Sequence, residues 1–368
     1  MKKFISVFLS AVMLICPAVT AFAYDGGYLN VSQFVAPNAG RDVSADIQKI
    51  IEENPNRTLF FEDGEYLLSK PILTPAEPTK SVSLRLSDFA VFKAAGGWQK
   101  GEAVVQLGGE YPANNTSKAG SNYSFEGGII DGSGTADGIS INSGRETMIR
   151  NVSIKNTVCG IHILYGANSG SSDADISGIN IIGTGTTESV GILAEGYDNT
   201  FTNIRIGNIF TGVHLKSAGN VLRNIHPLYY SDYTDYENSC GFLIESGCNW
   251  FDFCYSDQFG IGFRVTNNSE NVFNDCYCYW YSDRGTIHTA FKSDEKFKAS
   301  LTNFRADFPD EVENYYVSIG KLGGKGKIIN PIVDNDELSS LSYKMYDSGA
   351  LLVVKAFGFI VWLFEKIF

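Results

Sequence analysis

Residues 137–142 read DGISIN, 159–164 CGIHIL, 190–195 VGILAE, 211–216 TGVHLK, 240–245 CGFLIE and 261–266 IGFRVT. The shared glycines are Gly138, Gly160, Gly191, Gly212, Gly241 and Gly262, with gaps of 22, 31, 21, 29 and 21 residues. A second phrase keeps step with the first: NTFTNIRI from Asn199, NVLRNIHP from Asn220, NWFDFCYS from Asn249 and NVFNDCYC from Asn271. A period in the twenties marks stacked supersecondary units. Apolar residues alternate with polar ones over short runs, separated by Gly, Asn and Ser, which is strand chemistry with tight turns. A unit this short has no room for a crossover helix. The pattern therefore predicts an all-β chain, a parallel β-solenoid with one coil per repeat.

The stacking predicts which side chains share a column. Ile139, Ile161, Ile192, Val213, Phe242 and Phe263 form an inner ladder by the period of two. Ser140, His162, Leu193, His214, Leu243 and Arg264 stack outward, followed by Asn142, Leu164, Glu195, Lys216, Glu245 and Thr266. With coils ~4.8 Å apart, Glu195 and Glu245 flank Lys216 at ~9–10 Å from each other. That is near the upper end of the carboxylate spacing of inverting glycosidases, ~6.5–9.5 Å. A ladder in which Lys216 neutralises both glutamates is the alternative. The second phrase stacks Ser153, Asn180, Arg205, His226, Tyr255 and Tyr277. There Arg205 beside His226 suits binding of a sugar carboxylate and proton transfer, or is plain decoration of a solvated strand.

The gaps of 31 and 29 residues mark insertions into two coils, and long loops on a rigid repeat are where binding usually lives. The second insertion carries Tyr229, Tyr230, Asp232, Tyr233, Asp235, Tyr236 and Glu237. Tyrosines offer stacking faces for sugars, and carboxylates accept hydroxyl hydrogen bonds or act as acid and base. A loop packed onto the solenoid by its own aromatics is the other reading.

The whole chain has 368 residues, 38 of them Gly, with 19% charged and 44% hydrophobic residues and a net charge of -12. This balance offers no phosphate-neutralising stripe, so nucleic acid is not an expected partner. Residues 1–23 read as a secretory signal peptide: Lys2 and Lys3, an apolar run to Cys16, and Ala21-Phe22-Ala23 as the cleavage site. The expected location is secreted or cell-surface. Cys159, Cys240, Cys248, Cys254, Cys276 and Cys278 remain; Cys254, Cys276 and Cys278 read as an inward stack of thiols in preference to a disulfide framework. No metal-ligand spacing is visible.

Residues 44–51 predict a short amphipathic helix, capped by Ser44 and stopped before Pro55. Residues 57–61 and 66–68 read as strands around a turn at 62–65. From Val31 through Asp46-Ile47-Gln48 to the DGEY turn at Asp63, this stretch resembles the start of the pectate-lyase-superfamily right-handed parallel β-helix proteins. Those read as a "dfGA" stretch, a D-T-x-A-I-Q helix and a "yfPpGtY" hairpin. Residues 125–132, FEGGIIDG, are similar to the "GGxIDG" coil of polygalacturonase-like and rhamnogalacturonase-like helices. The resemblance covers roughly residues 30–330 by architecture and is specific in about forty. It implies carbohydrate-active relatives, including hydrolases, lyases, epimerases and tailspikes, and it constrains fold more than reaction. The polygalacturonase motifs N-T-D-G-I-D, G-H-G and R-I-K and the D-P-H of alginate epimerases are absent, so any catalytic set here differs from theirs.

We therefore expect a carbohydrate-active protein cleaving a polysaccharide by hydrolysis or β-elimination. Asp232, Asp235, Glu195 and Glu245 form the acid/base pool, with His214, Arg205 and His226 for eliminative chemistry. Tyr229, Tyr230, Tyr233, Tyr236, His162, Lys216 and Arg264 are the substrate-binding candidates. A non-catalytic glycan-binding surface protein is the rival. No cofactor is implied; calcium would enter only with lyase chemistry, and no clear site for it is visible. The expected architecture is a helix over 24–333, of which 24–80 are N-terminal cap and first coils. A polar linker over 334–348 and a hydrophobic helix over 349–368 follow. Residues 349–368 are apolar on all sides, which favours membrane association over a plug on the last coil.

Overall fold

A computed structural model describes residues 27–108, 123–165, 171–231, 235–281, 287–309, 313–334, 341–347 and 350–356. The expected signal peptide lies outside these residues. A coil has three strand positions, as in Met148–Arg150, Ser153–Thr157 and Cys159–Ile163; in Asp175–Gly183, Thr200–Gly207 and Val221–Leu228 one strand runs through the first two. We name these positions the first, second and third faces. Third-face strands from Ile72–Leu73 onward form a twelve-stranded sheet, and the first and second faces together form a twenty-stranded one. Register along the third face is Ile139↔Ile161↔Ile192↔Val213↔Phe242↔Phe263↔Phe291↔Val317, all parallel. The predicted inner ladder is thus present, and every member is fully buried.

Three local devices make the coils superimpose. A Cβ on Gly160 would stand 2.6 Å from the Gly191 carbonyl oxygen, and one on Gly241 2.7 Å from that of Gly262. Only hydrogen fits there, which is why the repeat keeps its glycine. Between the first and second faces the chain turns on one residue with φ between 49° and 57°, at Asn151, Asn203, Asn224, Phe253, Asp275, Asn303 and Asn330. Asn and Asp tolerate this left-handed conformation; Phe253 is the exception. The asparagine that opens the second phrase is buried. Asn220 Oδ1 accepts the Asn199 backbone N–H at 3.2 Å, and Asn249 Oδ1 accepts that of Asn220 at 3.0 Å. The ladder satisfies backbone donors at a buried corner where no strand can.

At the N-terminus the helix Ser44–Glu53 covers the first coils with Ile47 and Ile51. Gln48 exchanges two hydrogen bonds with the Leu73 backbone (3.0 and 3.1 Å), occupying the open edge of the third face. Ser44 is not the cap: it is the first helical residue, and Asp42 Oδ1 accepts its N–H at 3.0 Å. Burial alone would raise the Asp42 carboxyl; hydrogen bonds from Ser69 and Ser44 outweigh it and hold the group well below the usual range. The strands Thr58–Phe61 and Gly64–Leu68 do not pair as a hairpin. They pair with Ser83–Leu86 and Ala90–Ala94, so the turn is a corner between faces.

The C-terminus differs from expectation. Leu341–Asp347, expected in a linker, is a strand paired in parallel to Glu313–Lys321, and Ala350–Ala356, expected to be helical, is an antiparallel strand beside it. An apolar run rich in Val and Leu serves as a strand once a sheet edge is there to receive it. The rest of the expected helix lies outside the described residues, among which no helix is long and apolar enough to cross a membrane. Cys159, Cys240, Cys248, Cys254, Cys276 and Cys278 are free thiols, and Cys254, Cys276 and Cys278 are buried as expected.

Candidate functional site

The candidate residues fall on two different faces. His162, Leu193, His214, Leu243 and Arg264 stack in register on the outside of the third face, as predicted. Glu195 lies between His162 Nε2 at 3.1 Å and Lys216 Nζ at 3.0 Å. Glu245 is not shared with Lys216; it accepts from His214 Nε2 at 2.9 Å. Arg264 is bound to Asp294 at 2.9 Å. Burial pushes the Glu195 carboxyl up, but the bonds from Lys216 and His162 more than offset it, and its pKa is lowered. A carboxylate held ionised this way is a poor proton donor. The third face is a charge ladder whose members satisfy one another. At its N-terminal end Asp137 is buried, accepts the Cys159 N–H at 3.0 Å, and has its pKa raised by that burial.

The second face is built differently. Arg205 and His226 are in-register neighbours. The His226 ring stacks on Tyr255 with centroids 4.2 Å apart, Tyr255 stacks on Tyr277 at 4.8 Å, and the Arg305 guanidinium lies 5.0 Å over the Tyr277 ring. One column further out stand Leu228, Asp257, Tyr279 and Asp307, in register. His226 Nε2 is 3.5 Å from Asp257 Oδ2. Asp307 accepts the Tyr277 hydroxyl and both forks of Arg305, at 3.0 and 2.9 Å. Burial first, and then the adjacent aspartate, raise the phenols of Tyr255 and Tyr277, so both hydroxyls stay protonated. Arg205 is exposed and makes no ion pair among the described residues. An exposed guanidinium, an imidazole whose Nε2 lies 3.5 Å from a carboxylate oxygen, and protonated phenols thus line one strip.

Asp257, Tyr279, Arg305 and Asp307 were not among the residues expected from sequence. Asp257 and Tyr279 lie two residues beyond Tyr255 and Tyr277, so the same period of two locates them. Arg305 and Asp307 belong to a coil that lacks the opening asparagine, but Leu301-Thr302-Asn303-Phe304-Arg305 repeats the pattern of Phe201-Thr202-Asn203-Ile204-Arg205, a signal that could have located them.

The tyrosine loop needs correction. Tyr229 is fully buried and Tyr236 nearly so. They form a small core with Phe210 and Phe259, with Tyr229 rings 5.7 Å from Tyr236 and 5.6 Å from Phe259. Neither can stack on a sugar: the loop buries its own aromatics because the insertion has an apolar floor to cover. Asp235 precedes a short 3-10 turn, and its carboxylate accepts from the Asn238 side-chain amide at 2.6 Å without capping the turn's backbone. Tyr230 is 43% exposed and lies over the second face, where a Cβ on Gly207 would stand 3.4 Å from its ring. Asp232 and Tyr233 lie outside the described residues.

No protein-family model matches the chain, and no curated protein matches it. Solved structures do. A tailspike protein mutant of E. coli bacteriophage HK620 aligns with a TM-score of 0.63 at 9% identity, over 88% of this chain and 66% of that chain. Another mutant of that tailspike, in complex with a hexasaccharide, gives a TM-score of 0.57 at 10% identity over 84% and 67%. The enzymatically active domain of bacteriophage CBA120 tailspike protein 4 gives a TM-score of 0.51 at 13% identity, over 84% of this chain and 40% of that chain. The chain spans only part of those proteins. It has the fold of the right-handed parallel β-helix proteins.

Proposed function

We propose that the protein acts on an acidic polysaccharide outside the cell, with its site on the second face at Arg205, His226, Tyr255, Asp257, Tyr277 and Tyr279, and Tyr230 at the margin. The observation that carries this is the His226–Asp257 pair stacked on Tyr255 beside an unpaired Arg205. The fold is that of a tailspike solved with a hexasaccharide, which is consistent with a glycan ligand.

The chemistry that fits this set is β-elimination. Arg205 holds the uronate carboxylate and stabilises the charge that develops on it. His226, stacked on Tyr255 beside Asp257, removes the proton on the carbon bearing that carboxylate. The electron pair forms a double bond to the neighbouring carbon, the bond from that carbon to the glycosidic oxygen breaks, and a protonated phenol supplies the proton to the leaving oxygen. Hydrolysis is less well served, because Asp307 is clamped by Arg305 and Tyr277. Incubation with a panel of uronate-containing glycans tests the reading. 4,5-unsaturated uronate products support it, and saturated reducing ends alone replace elimination by hydrolysis. Binding without cleavage, persisting in Asp257→Asn, supports a glycan-binding surface protein instead, a reading favoured by the self-neutralised third face.

A further inference from the structure

The corner between the first and second faces carries a ladder of amide side chains. Asn224 Nδ2 donates to Asn203 Oδ1 at 2.9 Å, Asn303 Nδ2 to Asp275 Oδ1 at 2.9 Å, and Asn330 Nδ2 to Asn303 Oδ1 at 2.8 Å. Phe253 stands between Asn224 and Asp275 in this column and interrupts the ladder. Its φ is 53°, a conformation that Asn and Asp tolerate and a bulky side chain does not. Packing does not return that cost: the ring is 52% exposed and meets no other ring among the described residues. A strained residue that the fold does not support is a sign of a binding role. Trp250 opens the same coil, 46% exposed on the first face and in register with Val221 and Val272. Tyr255, in the site proposed above, lies two residues beyond Phe253. One coil thus presents three aromatic side chains across two faces, within ~17 Å of chain.

In the coils on either side the Trp250 column continues as Thr200 and Ser300, so its apolar part is three coils wide. A patch ~10 Å across is too small for a stable protein interface, which buries ~800 Å² a side. It does match the apolar face of a pyranose. Arg223 Nε and Asp252 Oδ2, 3.5 Å apart beside Trp250, offer a donor and an acceptor for sugar hydroxyls. We propose that Phe253 and Trp250 bind neutral sugars of the glycan, which passes from the second face over the corner of this coil onto the first, across the solenoid axis. The platform rests on the acidic-glycan reading of the second face and extends it to the uncharged part of the chain.

Affinity electrophoresis of the full chain carrying His226→Gln, which removes turnover, tests this with glucuronoxylan and xanthan, which combine uronates with neutral sugars. Phe253→Asn and Trp250→Ala, added singly, each weaken binding about five- to tenfold. Phe253→Asn also raises the melting temperature by about 1–3 °C, because it relieves the strained corner and offers Asn224 a donor. A variant that is more stable than its parent and binds less well has not lost binding by misfolding. Unchanged binding in both variants overturns the inference, and if Arg205→Ala still abolishes binding the acidic-glycan reading stands. A lowered melting temperature in Phe253→Asn gives the ring a structural role and also overturns the inference. Binding lost in Phe253→Asn and Trp250→Ala but kept in Arg205→Ala supports the platform and overturns the second-face reading. No binding of either glycan overturns both.

Discussion

The second and third faces share the same coils, the same period and the same buried supports, yet one is a closed electrostatic system and the other an open one. On the third face His162, Glu195, Lys216, His214, Glu245, Arg264 and Asp294 pair across coils at 2.9–3.1 Å. On the second face the stack from His226 to Arg305 leaves Arg205 unpaired, and the His226–Asp257 contact is 3.5 Å. Ion pairs at a surface add little stability. Among the described residues the charged groups of this third-face ladder are paired, whereas Arg205 on the second face makes no ion pair. That contrast is the reason the proposed site is placed on the second face.

Substitutions on the two faces should separate them. His226→Ala or Arg205→Ala lowers the rate of unsaturated-product formation at least a hundredfold, while Glu195→Gln and Glu245→Gln stay within about twofold of wild type. Circular dichroism confirms that all four variants are folded. The reverse pattern would move the site to the third face. Next in size, Tyr229→Ala costs about 3 kcal/mol in denaturant melts because it empties the small aromatic core. Tyr230→Ala changes stability by less than about 0.5 kcal/mol and weakens glycan binding. Equal effects at the two positions would mean that the loop is not packed as described.

Asn220→Ala tests the support beneath both faces. It strips the Asn199 N–H of its acceptor and costs about 2 kcal/mol, read as a lowered melting temperature. The smallest effect concerns pH. The folded Glu195 carboxyl titrates below its ordinary range, so its contribution is present above that range and is lost as pH falls through the lowered value. Wild type should exceed Glu195→Gln by about 0.5 kcal/mol at pH 7, and the two melts should converge as pH falls below about 4. A constant difference across that range would mean that the ladder does not act through charge.

Much of this molecule is legible in its sequence, because a solenoid converts sequence period directly into spatial register. The phrases around Gly160 and Asn220 are enough to place Ile161 inward, His162 outward and Arg205 beside His226, since every coil repeats the same strand parity. The glycines and asparagines themselves are set by sterics and by buried backbone donors, requirements that recur at each coil. What the tertiary structure alone decided is which outward groups are already satisfied. Glu245 pairs with His214 and not Lys216, Tyr229 turns inward while Tyr230 stays out, and Arg305 is tied to Asp307. These outcomes depend on side-chain direction and on how an insertion folds over its neighbours. Ala350–Ala356 shows the same limit at the chain end: its composition suits helix or strand, and the open sheet edge beside it makes it a strand.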